Sequence, residues 1–449
     1  MTHRSVEVPV IARVEGEGAL HIAVEDGTIT DLRLEIYEPP RFFEAFLAGR
    51  HFSEVPDIVP RICGICPVAY QMSAIHGLER LFGVVPPEGT HELRRLFYCG
   101  EWIESHVLHI FLLAAPDFLG FPNAIEMAKV QPELVKTALE IKRIGNDLMA
   151  VIGGREIHPV SPRVGGFSKA PRRRDLEPFL PRMEWALAQM PGVADFIASL
   201  PAPSFPRPAE LVSMVNEAEY PINVGGLGST NGRRWDAQTH EQVTHEVHVE
   251  HSNALHSLMS DTQTPYFLGP LARVNLNAPL LTPEAREVAE RAGLRVPETD
   301  PFFSMAARAA ETTLAIEESI RLIRDYVAPD PPMVEPEPRA GRATWTTEAP
   351  RGTLYHRYEV AEDGTILEAK IIPPTSQNLR HIEEDLRQFL PDVLDRPDEE
   401  LTRLCEMVVR NYDPCISCAT HFLRLDIQRG GLRSPTGSLL EPPAPPARS

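Results

Sequence analysis

The chain has 449 residues, 43% of them hydrophobic and 24% charged, a balance that belongs to a globular protein able to bury a large core. With 63 acidic against 44 basic residues the net charge is -19, which argues against nucleic acid or an anionic membrane as the main partner. There is no charged-then-apolar leader and no apolar run of about 18 residues, the length of a membrane span, so a cytoplasmic location without a span is expected.

In chain order, alternating residues from Val6 to Glu38 predict an antiparallel hairpin, with arms Ala19–Val24 and Ile29–Ile36 and a turn at Glu25-Asp-Gly27. Arg41 to Gly49 has helical spacing and a glycine stop. A helix is expected from Val68 to Leu81, starting beside a pair of cysteines, where the helix N-terminus favours thiolate. Long apolar-periodic stretches at Leu93–Leu119 and Ala124–Ile152 predict buried helices, the second closed by a turn at Gly153–Pro159. Further helices are expected over Leu176–Met190 and Thr312–Tyr326, with irregular sequence through the two hundreds. After the prolines of 329–338 a second hairpin is predicted, Gly352–Val360 and Thr365–Ile372 around Glu362-Asp-Gly364, then helices over Gln377–Leu390 and Glu399–Val409. The 44 prolines agree with many loops and helix stops.

Six cysteines are too sparse for a disulfide scaffold, and four of them form two CxxC pairs, in Arg61-Ile-Cys-Gly-Ile-Cys-Pro67 and Asp413-Pro-Cys-Ile-Ser-Cys-Ala-Thr-His421. Each spacing suits two thiolates on one soft metal ion. The pairs stand 349 residues apart, Cys66 to Cys415, which is a poor fit to a local zinc ribbon. If they share a metal, the fold must bring its ends together. The expected fold is α+β and predominantly helical: a central bundle of long helices, small antiparallel hairpins near both termini, and ends meeting at a buried metal site. Cys99 and Cys405 belong to no motif and read as small buried hydrophobes.

The cysteine stretches, with Ile11-Ala-Arg-Val-Glu-Gly16, Gly154-Arg-Glu-Ile-His-Pro159, Ala349-Pro-Arg-Gly352 and Pro374-Thr-Ser-Gln-Asn378, resemble the large subunit of nickel-iron hydrogenases over nearly the whole chain. Within that family the likeness is to the soluble NAD(P)-linked branch, the sulfhydrogenase alpha subunits. The resemblance implies reversible heterolytic cleavage of dihydrogen at a nickel-iron centre. Cys63 and Cys415 would be terminal nickel ligands, and Cys66 and Cys418 would bridge nickel to an iron carrying carbon monoxide and cyanide. Four thiolates suit soft nickel and leave room for an open position. Arg351 would hang over that position, oriented by Asp413; by itself such a pair reads as a structural ion pair. Glu15 would be the first proton-relay carboxylate, accepting from a bridging thiol. Pro350, Thr375 and Ser376 would line the iron ligands, although the last two also read as a helix N-cap before Gln377. A magnesium ion would take Glu44, His421 and a main-chain carbonyl near Ile371, while Glu44 alone reads as a surface charge.

Two positions depart from the wider family: Tyr70 stands where many members have histidine, and Ser105 where membrane-linked members have aspartate. No glycine-rich dinucleotide fingerprint and no further cysteine cluster is present, so electrons must leave through other subunits. The resemblance supplies these: a small subunit with iron-sulfur clusters and a flavin diaphorase. It also implies a maturation endopeptidase that cuts after His421, dividing the chain into a 1–421 unit and a 422–449 extension. The Gly430-Gly431 pair and proline-rich end suit a removable tail, while Phe422–Ile427 also fits a retained edge strand. Rival readings are a hydrogen-sensing subunit, a zinc-stapled protein, and a relative of the quinone-site subunit of respiratory complex I, which lacks the paired cysteines.

Overall fold

The computed structural model describes residues 3–420, so His421 and the extension at 422–449 lie outside the described residues. The N-terminal segment forms an antiparallel sheet of β1 (His3–Val8), β2 (Gly18–Glu25) and β3 (Thr28–Ile36). The expected hairpin is the β2–β3 pair, turned at Asp26 and Gly27, which both take positive φ as a tight hairpin turn requires. β1 adds a third strand alongside β2. Alternation places Leu20, Ile22, Leu32 and Leu34 on the buried face.

The short helix α1 (Phe43–Leu47) leads to α2 (Pro67–Phe82) and α3 (Thr90–Val107). Beyond Val107 the chain widens into π-helical turns over Leu108–Ala114 before Pro116. The helix expected over 124–152 is split into Ala124–Val130 and α4 (Pro132–Gly153), because Pro132 has no amide with which to continue the first piece. α5 (Leu180–Ser199) runs past the expected stop at Met190 and takes Pro191 into the helix, since Val193, Ala194 and Ile197 continue its buried face.

The middle is not irregular. β4 (Val212–Val215), β5 (Gly226–Ser229) and β6 (Arg234–Trp235) form one small sheet, and β7 (Thr244–Val247) pairs with β8 (His256–Met259). α6 (Ser304–Arg324) begins well before the expected Thr312, because Met305 to Ala310 are buried. A second three-stranded sheet follows: β9 (Gly341–Ala349), unforeseen, then β10 (Gly352–Val360) and β11 (Ile366–Ile372), the expected hairpin. α7 (Pro374–Phe389), α8 (Asp398–Asn411) and the one-turn α9 (Ile416–Ala419) complete the described chain.

α3 packs on α4 and α6, and α6 also on α5. At the α3–α4 crossing a Cβ on Gly145 would stand 2.5 Å from the carbonyl of Gly100, so the backbones approach as only glycine permits. Charge is buried here as well. Arg273 lies between Glu311 and Glu348, all three fully inaccessible, with His106 against Glu311 at 2.9 Å. Among the described residues no helix is long and apolar enough to cross a membrane.

Candidate metal centre

Both cysteine pairs sit at helix starts. Cys66 is the N-cap of α2, with Pro67 in its first turn, and Cys415 is the N-cap of α9. Glu101 on α3 accepts from the first-turn amides of Val68 (2.6 Å) and Ala69 (3.3 Å), which the N-cap thiol leaves unsatisfied. The N-terminal sheet and the C-terminal helices join through an isolated parallel bridge, in which Glu15 N–H donates to Pro414 and Ile416 N–H to Glu15. Gly16 makes this possible: at φ 92° a Cβ there would meet Ile416 Cβ at 2.7 Å.

The outcome is a cluster of four buried thiols whose Sγ atoms all lie within 4.8 Å of one another. Cys63 Sγ is 3.3 Å from Cys415, Cys66 is 3.7 Å from Cys418, and Cys415 is 2.7 Å from Cys418. Tetrahedral thiolates at about 2.3 Å from one ion stand about 3.8 Å apart, a spacing that Cys66 and Cys418 match and Cys63 and Cys415 approach, while Cys415 and Cys418 lie closer than it. Hydrogen bonds from Cys415 and its neighbours, with the Arg351 charge, hold Cys63 well below the ordinary thiol range. Burial, then the neighbouring sulfurs, push Cys415 up, and burial raises Cys418 against the pull of Cys415 and Cys66. Cys66 is pulled down by Cys415 but raised on balance by Cys418, Cys63 and burial. Four thiolates together therefore require bound cations.

Arg351 and Pro350 form the two-residue turn between β9 and β10, which the register Ala349↔Gly352 defines. The buried Arg351 donates Nε–H to the Asp413 carbonyl at 2.6 Å and Nη2–H to its carboxylate at 3.0 Å. Burial opposes its charge, but Asp413 and then the sulfurs of Cys415, Cys66 and Cys63 hold its pKa well above the ordinary value. Its Nη1 is buried with no hydrogen-bond partner among the described residues, a donor left over beside the thiols. Asp413 itself takes φ 51°, a conformation aspartate tolerates better than most residues. Pro350 turns its carbonyl to Arg273 at 2.9 Å.

Cys415 Sγ–H donates to Glu15 Oε2 at 3.0 Å, and Ser417 N–H donates to the same oxygen at 3.0 Å. Burial, then the Cys63 charge, raise the Glu15 carboxyl above its usual range. The expected partner was a bridging thiol; the observed one is Cys415, assigned above as terminal, because the bridge of Glu15 to Cys415 fixes that neighbour. Thr375 Oγ accepts from Cys415 N–H at 2.9 Å, and Ser376 Oγ donates to Pro373 O at 2.9 Å. Neither is an N-cap, since Pro373 holds that place in α7.

At the expected magnesium position, Ile371 donates its N–H to Glu44 at 2.7 Å, which brings that stretch of main chain beside the carboxylate. Glu44 is no surface charge: it is half-buried, and burial raises its pKa to about 7. Tyr70 and Ser105 are fully buried, Tyr70 with its hydroxyl against the sulfur of Cys418 and Ser105 with a hydroxyl that has no hydrogen-bond partner among the described residues. Cys99 and Cys405 are buried, as expected of small hydrophobes.

Glu101, Glu38 and Arg41 were not singled out from sequence. Ser417 Oγ–H donates to Glu38 at 2.6 Å. Arg41 bonds the carbonyl before each motif's cysteine, Ile62 O at 2.6 Å and Ser417 O, and its N–H reaches Thr420 O at 2.7 Å. One guanidinium thus ties the two loops together. Nothing in the spacing of these residues reveals partners that lie from 21 positions away, for Arg41 and Ile62, to 379, for Glu38 and Ser417.

The family model for nickel-dependent hydrogenase matches residues 41–137. Sulfhydrogenase 1 subunit alpha of Pyrococcus furiosus is 35% identical over 424 residues, covering 94% of this chain and 98% of that one. Sulfhydrogenase 2 subunit alpha of the same organism is 34% identical over 423 residues, covering 94% and 100%. Among solved structures, an NAD+-reducing nickel-iron hydrogenase in its H2-reduced state superposes with a TM-score of 0.81 at 29% identity, covering 93% of this chain and 99% of that one.

Proposed function

This chain belongs to the nickel-dependent hydrogenases, as a large subunit of these dihydrogen oxidoreductases, and on that premise we propose how its residues carry the reaction. Cys63, Cys66, Cys415 and Cys418 would hold a nickel-iron centre, with carbon monoxide and cyanide on the iron. When bound, that centre would supply an open coordination position for heterolytic cleavage of dihydrogen, from which two protons leave in all and two electrons pass to the partner subunits. The residues fit it: four buried thiols need cations, and Arg351 Nη1 is a buried donor with nothing described to bond.

Arg351 provides a fixed positive charge beside the thiols, preorganised by Asp413 so that no reorientation is needed as charge develops. Glu15 receives a proton from Cys415 Sγ–H. Its raised pKa suits that role, because a carboxylate that is too weak a base would not take a proton from a thiol. Thr375 orients Cys415 through its backbone, and Ser376, once rotated from Pro373, would donate to an iron ligand. Pro350 sets the turn that aims Arg351. The outer metal, magnesium, is assigned to Glu44, the main chain at Ile371 and His421.

The NAD+-reducing neighbour supports NAD(P) as the acceptor, reached through a small iron-sulfur subunit and a flavin diaphorase in the cytoplasm. The alpha-subunit names of the Pyrococcus relatives support such an assembly. Residues 1–421 are read as the mature unit, with 422–449 removed by an endopeptidase after metal loading. Intact mass of the nickel-loaded protein checks this: the expected species ends at His421, and a dominant species ending at Ser449 contradicts it.

The observation that carries the reading is the 3.0 Å contact of Cys415 with Glu15 inside the thiol cluster. Glu15→Gln is expected to keep the nickel and to slow hydrogen-deuterium exchange by roughly a hundredfold or more, the size of a lost general base. Unchanged exchange would show that protons leave by another route.

A further inference from the structure

A second group of metal-ligating side chains lies apart from the cysteines. His251 in the loop 248–255, His256 at the start of β8 and Glu383 on α7 bring one ligand atom each within 4.8 Å of the others. His251 Nε2 is 2.8 Å from Glu383 Oε1, and His256 Nδ1 is 4.0 Å from Glu383 Oε2. An ion bound tetrahedrally at about 2.0–2.1 Å spaces its ligand atoms about 3.3–3.4 Å apart, and the two separations straddle that value.

His256 is the telling member. It is 0% exposed, and neither ring nitrogen has a hydrogen-bond partner among the described residues. A buried imidazole is ordinarily satisfied at one nitrogen at least. Burial, against the pull of Glu383, lowers its pKa to about 4, so it is the neutral form, the form that ligates, that faces the carboxylate. Glu383 is braced as metal-binding carboxylates are: Leu34 N–H donates to Oε1 at 3.0 Å and Arg380 to Oε2 at 3.3 Å. His251 is 20% exposed, which opens the group to solvent on that side alone.

We propose that His251, His256 and Glu383 form a binding site for a divalent first-row transition ion such as zinc, with a water as fourth ligand. Two imidazoles and one carboxylate are a borderline-soft donor set that prefers such ions over magnesium or calcium. The site would clip the 248–255 loop to α7 and β3. The loop already reaches that strand, since Asn253 N–H donates to Ile36 O at 2.7 Å. The proposal is independent of which metals the cysteines hold.

The test uses the purified holoenzyme, freed of loosely bound metal and titrated with Zn2+ alone and, in parallel, Co2+. One equivalent of zinc beyond the resident metals is expected, ligated by nitrogen and oxygen without sulfur in zinc-edge absorption, and cobalt should give tetrahedral visible bands. His256→Asn and, in case that variant misfolds, the more exposed His251→Gln should each lose this equivalent and its stabilisation against heat. No added equivalent at micromolar free zinc, sulfur ligation, or zinc bound equally by both variants would overturn the proposal and leave a buried hydrogen-bonded pair only.

Discussion

The two cysteine loops carry the same motif on different supports. Cys63 and Cys66 lead into α2, a 16-residue helix that is buried along most of its length and fixes them through its own backbone. Cys415 caps, and Cys418 lies within, a helix of four residues, too short to stand alone. That loop is held from outside, by Glu15 at Cys415 and Ser417, Thr375 at Cys415 N–H, Glu38 at Ser417 and Arg41 at the Ser417 carbonyl. The residues proposed for proton transfer gather at the second loop. The first loop has Glu101 and Arg41 as outside partners beside its own helix, while two of the side chains that hold the second, Glu15 and Thr375, are ones proposed to take part in the chemistry.

Replacing thiolates erases the contrast and has the largest expected effect. Cys418→Ser and Cys66→Ser should both abolish nickel retention and dihydrogen turnover, because a hydroxyl does not replace a thiolate at a soft ion. Nickel content and hydrogen uptake of each purified variant check this. Arg351→Lys comes next: nickel stays, and turnover falls by roughly a hundredfold or more, as when one preorganised donor is lost. A lysine variant with full turnover would remove Arg351 from the mechanism. Arg41→Met should sharpen the contrast, since it unties the second loop from the first. Nickel affinity or activity is expected to fall roughly 10–100-fold, the usual effect of removing an outer partner. Metal analysis after dialysis against chelator reads it.

How far the sequence could be read follows the same division. The cysteine motifs, the β2–β3 hairpin and the start of α2 were legible because local patterns dictate them. β9 was not, because its buried side chains include Thr346, Thr347 and Glu348, the reverse of a hydrophobic pattern. They are satisfied at long range: Thr346 donates to Ala237 O at 2.7 Å, Thr347 meets Ser73 at 2.6 Å and Met214 N–H donates to Glu348 at 2.7 Å. β4 to β8 are strands of two to four residues, below the length at which alternation is visible. Glu101 and Arg41 act on backbone groups that only the folded chain brings near. Thr375 was singled out by motif, but its bond to Cys415 N–H depends on α7 docking against α9.

The central claim is that two cysteine pairs from opposite ends share a centre that contains nickel. Nickel-edge X-ray absorption on the purified, active complex tests it most directly. One nickel per chain, ligated by sulfur and with an iron neighbour, is the result expected, lost in Cys415→Ser. Nickel bound only by nitrogen and oxygen, or zinc filling the four thiolates of active protein, would contradict it.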